Sequence, residues 1–132
     1  MNDLHQERFR NPMKRARGLG SAKSGTGHFW WQRVTAIFLV PLVAWVLGML
    51  VSLVGADYGT VHSTIARPWN AIALALLALM LFWHAKLGIQ VVIEDYVHTR
   101  SSEIALHLAN TFLCALGAVA SLYAIVRIAL VA

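Results

Sequence analysis

A chain of 132 residues that is 58% hydrophobic and 13% charged, with a mean hydropathy of +0.62, is too apolar for an ordinary water-soluble domain. Its formal charge of +5 is concentrated near the start, where Arg8, Arg10, Lys14, Arg15, Arg17, Lys23 and Arg33 face only Asp3 and Glu7; a positive flank on a membrane protein explains this more simply than nucleic-acid binding. The single cysteine, Cys114, sits in an apolar run and excludes a disulfide framework or a cysteine metal site within the chain.

Residues 1–27 are polar and basic, punctuated by Pro12, Gly18, Gly20, Gly25 and Gly27, and show no apolar period, which predicts an extended arm. A cleaved secretory signal is not expected, because the apolar run that follows is long enough to span a bilayer. The first spanning helix is expected at about residues 34–54, with Trp30 and Trp31 at the headgroup level and Pro41 bending it. A short connection over 55–68 leads to a second helix at about 69–93. A loop over 94–103 then leads to a third helix at about 105–131. The fold class is therefore an all-α membrane protein with three transmembrane helices, organised as a basic arm with an interfacial segment (1–33) and a three-helix anchor domain (34–132). The arm places the N-terminus in the cytoplasm and the C-terminus on the opposite side.

The second helix carries the unusual chemistry. At about 100° per residue, Ala73, Leu77, Met80, His84, Gly88, Val91 and Asp95 fall along one stripe. Ala71, Ala75, Ala78 and Ala85 cluster on another face, which is the better surface for close helix packing. A flat cofactor beside His84 would approach the backbone at Gly88 and pack on Met80. Neutral imidazole is a common metal and haem-iron ligand, but an interhelical hydrogen bond explains a buried histidine equally well. Lys86 lies roughly 200° round the helix from His84, so it either snorkels or faces a polar crevice. Tyr96, about 18 Å along the axis from His84, is either a hydrogen-bond donor to a carbonyl ligand or a member of an aromatic belt. Arg33 reads as a clamp for a carboxylate or phosphate, or as a headgroup contact.

His28 would join a polar cluster with Arg33, His107 starts the third helix, and His5, His62 and His98 read as solvated. Arg127 is expected to snorkel. No carboxylate pair at membrane depth, no nucleophile with its base and no phosphate loop is evident, so the chain alone reads as non-catalytic. On the residues alone, a cofactor-free structural adaptor that holds a soluble complex at the membrane remains the alternative to an electron-transfer anchor.

The run His84-Ala85-Lys86-Leu87-Gly88, the pair Asp95-Tyr96 with the tyrosine twelve residues beyond the histidine, and Arg33-Val34-Thr35-Ala36 opening the first helix together resemble the small hydrophobic membrane-anchor subunit of succinate dehydrogenase, complex II. The segment Leu19-Gly20-Ser21-Ala22-Lys23-Ser24-Gly25-Thr26 followed by His28-Phe29-Trp30 is similar to the alphaproteobacterial branch. The resemblance covers about residues 15–132. It implies a b-type haem shared with a second anchor, the cytochrome b subunit, with His84 as one axial iron ligand, Arg33 at a haem propionate, Gly88 allowing close approach and His28 nearby. It also implies Tyr96, with Asp95 beside it, at the carbonyl of ubiquinone, and docking of the iron–sulphur and flavoprotein subunits on the cytoplasmic face. A bacterial inner membrane is the implied location, ahead of the mitochondrial inner membrane.

Overall fold

A computed structural model describes residues 25–130, which form four helices: α1 (Gly25–Ser52), α2 (Tyr58–Ala66), α3 (Pro68–Tyr96) and α4 (Arg100–Leu130). The chain divides into two compact units, residues 1–30 and 31–132; the described part of the first is the opening of α1, and the second holds the remaining helical structure. Three helices are long and apolar enough to cross a membrane: Thr26–Ser52, Pro68–Tyr96 and Arg100–Leu130. The all-α, three-span architecture expected from the sequence is thus present. Most of the arm expected over 1–27 lies outside the described residues.

The boundaries differ in an instructive way. α1 begins at Gly25 rather than near Val34, so the Trp-rich approach is already helical. A backbone nearing hydrocarbon satisfies its polar groups internally even where its side chains are polar, and hydropathy therefore places the helix start too late. Pro41 lies within α1, and the helix runs through it. α3 ends at Tyr96 and α4 starts at Arg100, which reduces the expected ten-residue loop to residues 97–99. The amide of Val97 closes α3 by bonding the Ile93 carbonyl at 2.9 Å.

The connection between the first two spans also holds a helix. Gly55 adopts φ of 79°, a left-handed conformation that glycine takes without steric cost, and turns the chain out of α1. Asp57 then caps α2, its carboxylate accepting hydrogen bonds from the Thr60 hydroxyl and the Gly59 amide. The Thr60 hydrogen bond, aided by the backbone donors and opposed by slight desolvation, holds the Asp57 carboxyl below the usual carboxylate range. A depressed folded-state pKa gives stability that is present above the ordinary carboxylate value and lost as the pH falls through the folded one. The amides of Gly59 and Thr60 should therefore lose protection, relative to their intrinsic exchange rates, as the pH falls below about 4, whereas Asp57→Asn, which keeps a capping oxygen, should flatten that pH dependence. Asn70 ties the two helices together by donating from Nδ2 to the Thr64 carbonyl at 2.7 Å. His62 belongs to α2 rather than to a loop, and with Tyr58, Tyr123 and Arg127 it lines a cleft of about 490 Å³.

α3 packs through two different faces. One, carrying Ala71, Ala78 and Ala85, belongs with α4: Ala71 and Ala78 are among the most buried apolar residues, and Phe82, Ala85, Ile89 and Ile93 share a groove with Leu106 and Leu113. The ring of Phe82 sits so close over Gly117 of α4 that a Cβ there would collide with it. Asn110, buried in the middle of α4, donates from Nδ2 to the Lys86 carbonyl of α3 at 2.9 Å and accepts a contact from Cys114 at 3.4 Å. The other face carries His84 and Gly88 and meets α1. Many large apolar side chains, among them Ile37, Val40, Ile72, Phe112 and Leu116, are exposed, which suits a surface bathed by lipid or by a partner.

Candidate functional site

Thr35, Gln32 and His84 make the polar contact between α1 and α3. Thr35 is only 1% exposed and is the most deeply buried side chain among the described residues. Threonine inside a helix returns its hydroxyl to the preceding turn, and here Oγ1 lies 2.8 Å from the Trp31 carbonyl and 3.1 Å from that of Gln32. The same oxygen is 2.9 Å from Nδ1 of His84. Across the ring, the amide nitrogen of Gln32 is 3.4 Å from His84 Nε2. Gln32 and Thr35 are three residues apart, so α1 presents both on one side. The rings of Trp31 and Trp83 stack beside this pair with centroids 5.2 Å apart and planes 30° from parallel, fixing the rotation of α1 against α3.

Proton bookkeeping assigns the roles. The Thr35 hydroxyl is placed to donate its one proton to the preceding turn, whose carbonyls only accept, and in that arrangement its lone pair faces the ring. Nδ1 of His84 then carries the ring proton and donates to Thr35, which leaves the lone pair on Nε2. This tautomer is assigned from the hydrogen-bond network. A second group, on the amide side, is poorly satisfied: in this orientation of the amide, Gln32 Oε1 is buried with no hydrogen-bond partner.

Of the residues singled out in the sequence, His84 and Gly88 are brought together here. Gly88 lies one turn beyond His84, and a Cβ added to it would meet only the Gln32 amide, at 3.6 Å. The space above Gly88 is thus filled by one flexible side chain. Arg33 is exposed on α1, next in sequence to Gln32 but roughly 160–200° round the helix from Thr35. His28 lies in the first unit, in the opening turns of α1; it is half-buried, and its Nε2 has no hydrogen-bond partner. Asp95 and Tyr96 close α3, both exposed, Tyr96 at 79%. Because the helix persists to Tyr96, the phenol stands about 18 Å along the axis from His84. Lys86 enters the α3–α4 contact through its carbonyl.

The sequence reading missed Gln32 and Asn110 and quoted Thr35 only within a motif. A lone Asn inside the apolar run of α4 was a usable signal, since polar side chains at that depth commonly bond across helices. Gln32 and Thr35 gave less warning, because their polarity matches the interfacial stretch they follow.

The donor set suits one kind of metal group. No three His, Cys, Asp or Glu side chains come together among the described residues, so a bare ion has no ligand set there. A haem iron would need only one ligand from this chain, and His84 Nε2, whose contact within the chain is the Gln32 amide at 3.4 Å, is the nitrogen that would serve. The residues present therefore fit one axial position of a haem.

Comparison with known proteins is consistent with this picture. Residues 7–124 match the family described as succinate dehydrogenase/fumarate reductase transmembrane subunit. The chain is 40% identical over 89 residues to the succinate dehydrogenase hydrophobic membrane anchor subunit of Rickettsia bellii, covering 67% of this chain and 71% of that one. It is 30% identical over 123 residues to the protein of the same name from Paracoccus denitrificans, covering 93% and 95%. The succinate dehydrogenase membrane anchor subunit of Reclinomonas americana is 35% identical over 85 residues, covering 62% and 71%. No solved structure matches the chain.

Proposed function

The chain belongs to the family of succinate dehydrogenase membrane-anchor subunits, and we propose that within such a complex His84 is one axial ligand of a b-type haem and that Tyr96 and Asp95 form part of a ubiquinone site. The observation that carries the haem reading is the Thr35 hydrogen bond at 2.9 Å to Nδ1, which leaves Nε2 with its lone pair at mid-membrane depth. When bound, the haem supplies a one-electron redox centre in the membrane. His84 would supply one iron ligand, so a second three-helix anchor of the cytochrome b type would supply the other. Arg33 would hold a propionate by charge-assisted hydrogen bonds, and Gly88 would leave room beside the ring.

At the end of α3 the Tyr96 hydroxyl donates to a quinone carbonyl, which gains negative charge as it is reduced. Asp95 sets an acceptor beside it at the same level. The Arg33 end of α1 and the end of α3 share one side of the membrane. The basic residues of segment 1–33 make that side cytoplasmic, with the C-terminus opposite and 34–132 acting as the anchor domain. Flavoprotein and iron–sulphur subunits dock there and deliver electrons from succinate. The three apolar helices and the alphaproteobacterial relatives point to a bacterial inner membrane.

A cofactor-free adaptor is the second reading, favoured by the Gln32 amide, which gives His84 Nε2 a contact within the chain. Purifying the complex from its co-expressed subunits separates the two. A b-type reduced-minus-oxidised spectrum is expected; a colourless anchor pair that still binds the soluble subunits would leave only the adaptor.

A further inference from the structure

We infer that Thr35 is the positioning residue for His84, holding its ring in the Nδ1–H tautomer, and that Gln32 is a displaceable cover over Nε2. Three observations carry this. The most buried side chain among the described residues is a hydroxyl committed to three contacts, two to carbonyls of its own helix and one to the imidazole. Burial that complete fixes the hydroxyl and so fixes the rotation of the ring. Free imidazole side chains favour the proton on Nε2, so the Nδ1–H form has to be imposed, and Thr35 Oγ1, at 2.9 Å from Nδ1, is the acceptor placed to impose it, with the longer Gln32 contact on Nε2 acting in the same direction.

The contact on the other nitrogen is of a different kind. At 3.4 Å it is long for a hydrogen bond, the Gln32 carbonyl oxygen is left buried and unpartnered, and the amide rests over Gly88, where no side chain opposes it. The Gln32 amide therefore has little to lose by leaving, whereas the Thr35 hydroxyl has no alternative place for its lone pair. Thr35 stays and Gln32 moves when a ligand takes Nε2. The role of Thr35 in setting the tautomer stands on the hydrogen bonds alone; displacement of Gln32 by haem iron rests on the function proposed above.

The test uses two preparations. In the full-length chain in haem-free lipid nanodiscs, nitrogen-15 spectra of ring-labelled His84 should show the Nδ1–H form. Thr35→Val, which keeps the shape and removes the hydroxyl, should shift the ring toward the Nε2–H form, and Thr35→Ser should restore it. In the assembled complex, Thr35→Val should weaken haem retention by about 10- to 100-fold, as loss of an outer hydrogen bond to a histidine ligand generally does. It should also raise the haem midpoint potential, because an imidazole without its acceptor donates less charge to the oxidised iron. Thr35→Ser should return both toward wild type, and Gln32→Ala should leave the potential near wild type while haem loads faster.

An Nε2–H ring in the wild-type chain overturns the assignment without any variant, so a poorly folding Thr35→Val does not protect it. A Thr35→Val complex with unchanged tautomer and potential overturns it as well. If His84 is not a haem ligand, the potential is insensitive to both variants while the tautomer still follows Thr35, so that failure is told apart from this one.

Discussion

Replacing His84 by alanine is expected to abolish the low-spin b-type signature of the complex while leaving the chain inserted in the membrane. Changes one shell out from a metal ligand already cost about 10- to 100-fold in affinity, so removing the ligand itself should exceed about 100-fold and release haem during purification. The fold should tolerate the change better than the cofactor does. Thr35 keeps its hydrogen bond to the Trp31 carbonyl and is not stranded, and the packing of α3 on α4 through Phe82 and Gly117 lies on the other face. The measurement is the reduced-minus-oxidised spectrum normalised to assembled complex. An unchanged spectrum at normal assembly would reject His84 as a ligand.

Tyr96→Phe is expected to slow quinone reduction by about tenfold or more while succinate oxidation by an artificial electron acceptor continues at the wild-type rate. A hydrogen bond to a group that carries charge is worth about 1.5–3 kcal/mol, and each 1.4 kcal/mol is about a factor of ten in rate. The phenol is 79% exposed at the last residue of α3 and supports no packing in the chain, so its loss should not disturb assembly. Equal loss of both activities would instead assign Tyr96 to docking of the soluble subunits. Because about 18 Å of helix separates Tyr96 from His84, the haem spectrum of this variant should match the wild type; the two substitutions report on separate sites.

Several features were legible from the residues. Three apolar runs near the length of a bilayer are a property of composition, and all three are helices. The two faces of α3 follow from a period of about 3.6 residues, and the helix does turn Ala71 and Ala78 into its buried core and His84 toward α1. The position of Tyr96 relative to His84 needed only that the helix continue.

Other features depended on information no single segment contains. The start of α1 at Gly25 and the small helix α2 escaped hydropathy, because an interfacial helix is stabilised by its backbone bonds and its cap rather than by apolar side chains. The partners of the polar residues escaped it too. His84 was recognisable as a costly group at depth, yet whether it would meet a hydroxyl, an amide or nothing depends on the rotation and vertical register of one helix against another. The Trp31–Trp83 stack contributes to that register, and local sequence does not encode it. Residue order was therefore enough to establish the spans, the basic flank and the spacing of His84 and Tyr96 along one helix. That Thr35 holds one nitrogen of His84 and Gln32 covers the other emerged only from the packed helices, because a hydrogen bond between them requires atoms about 50 residues apart in sequence to arrive within about 3 Å.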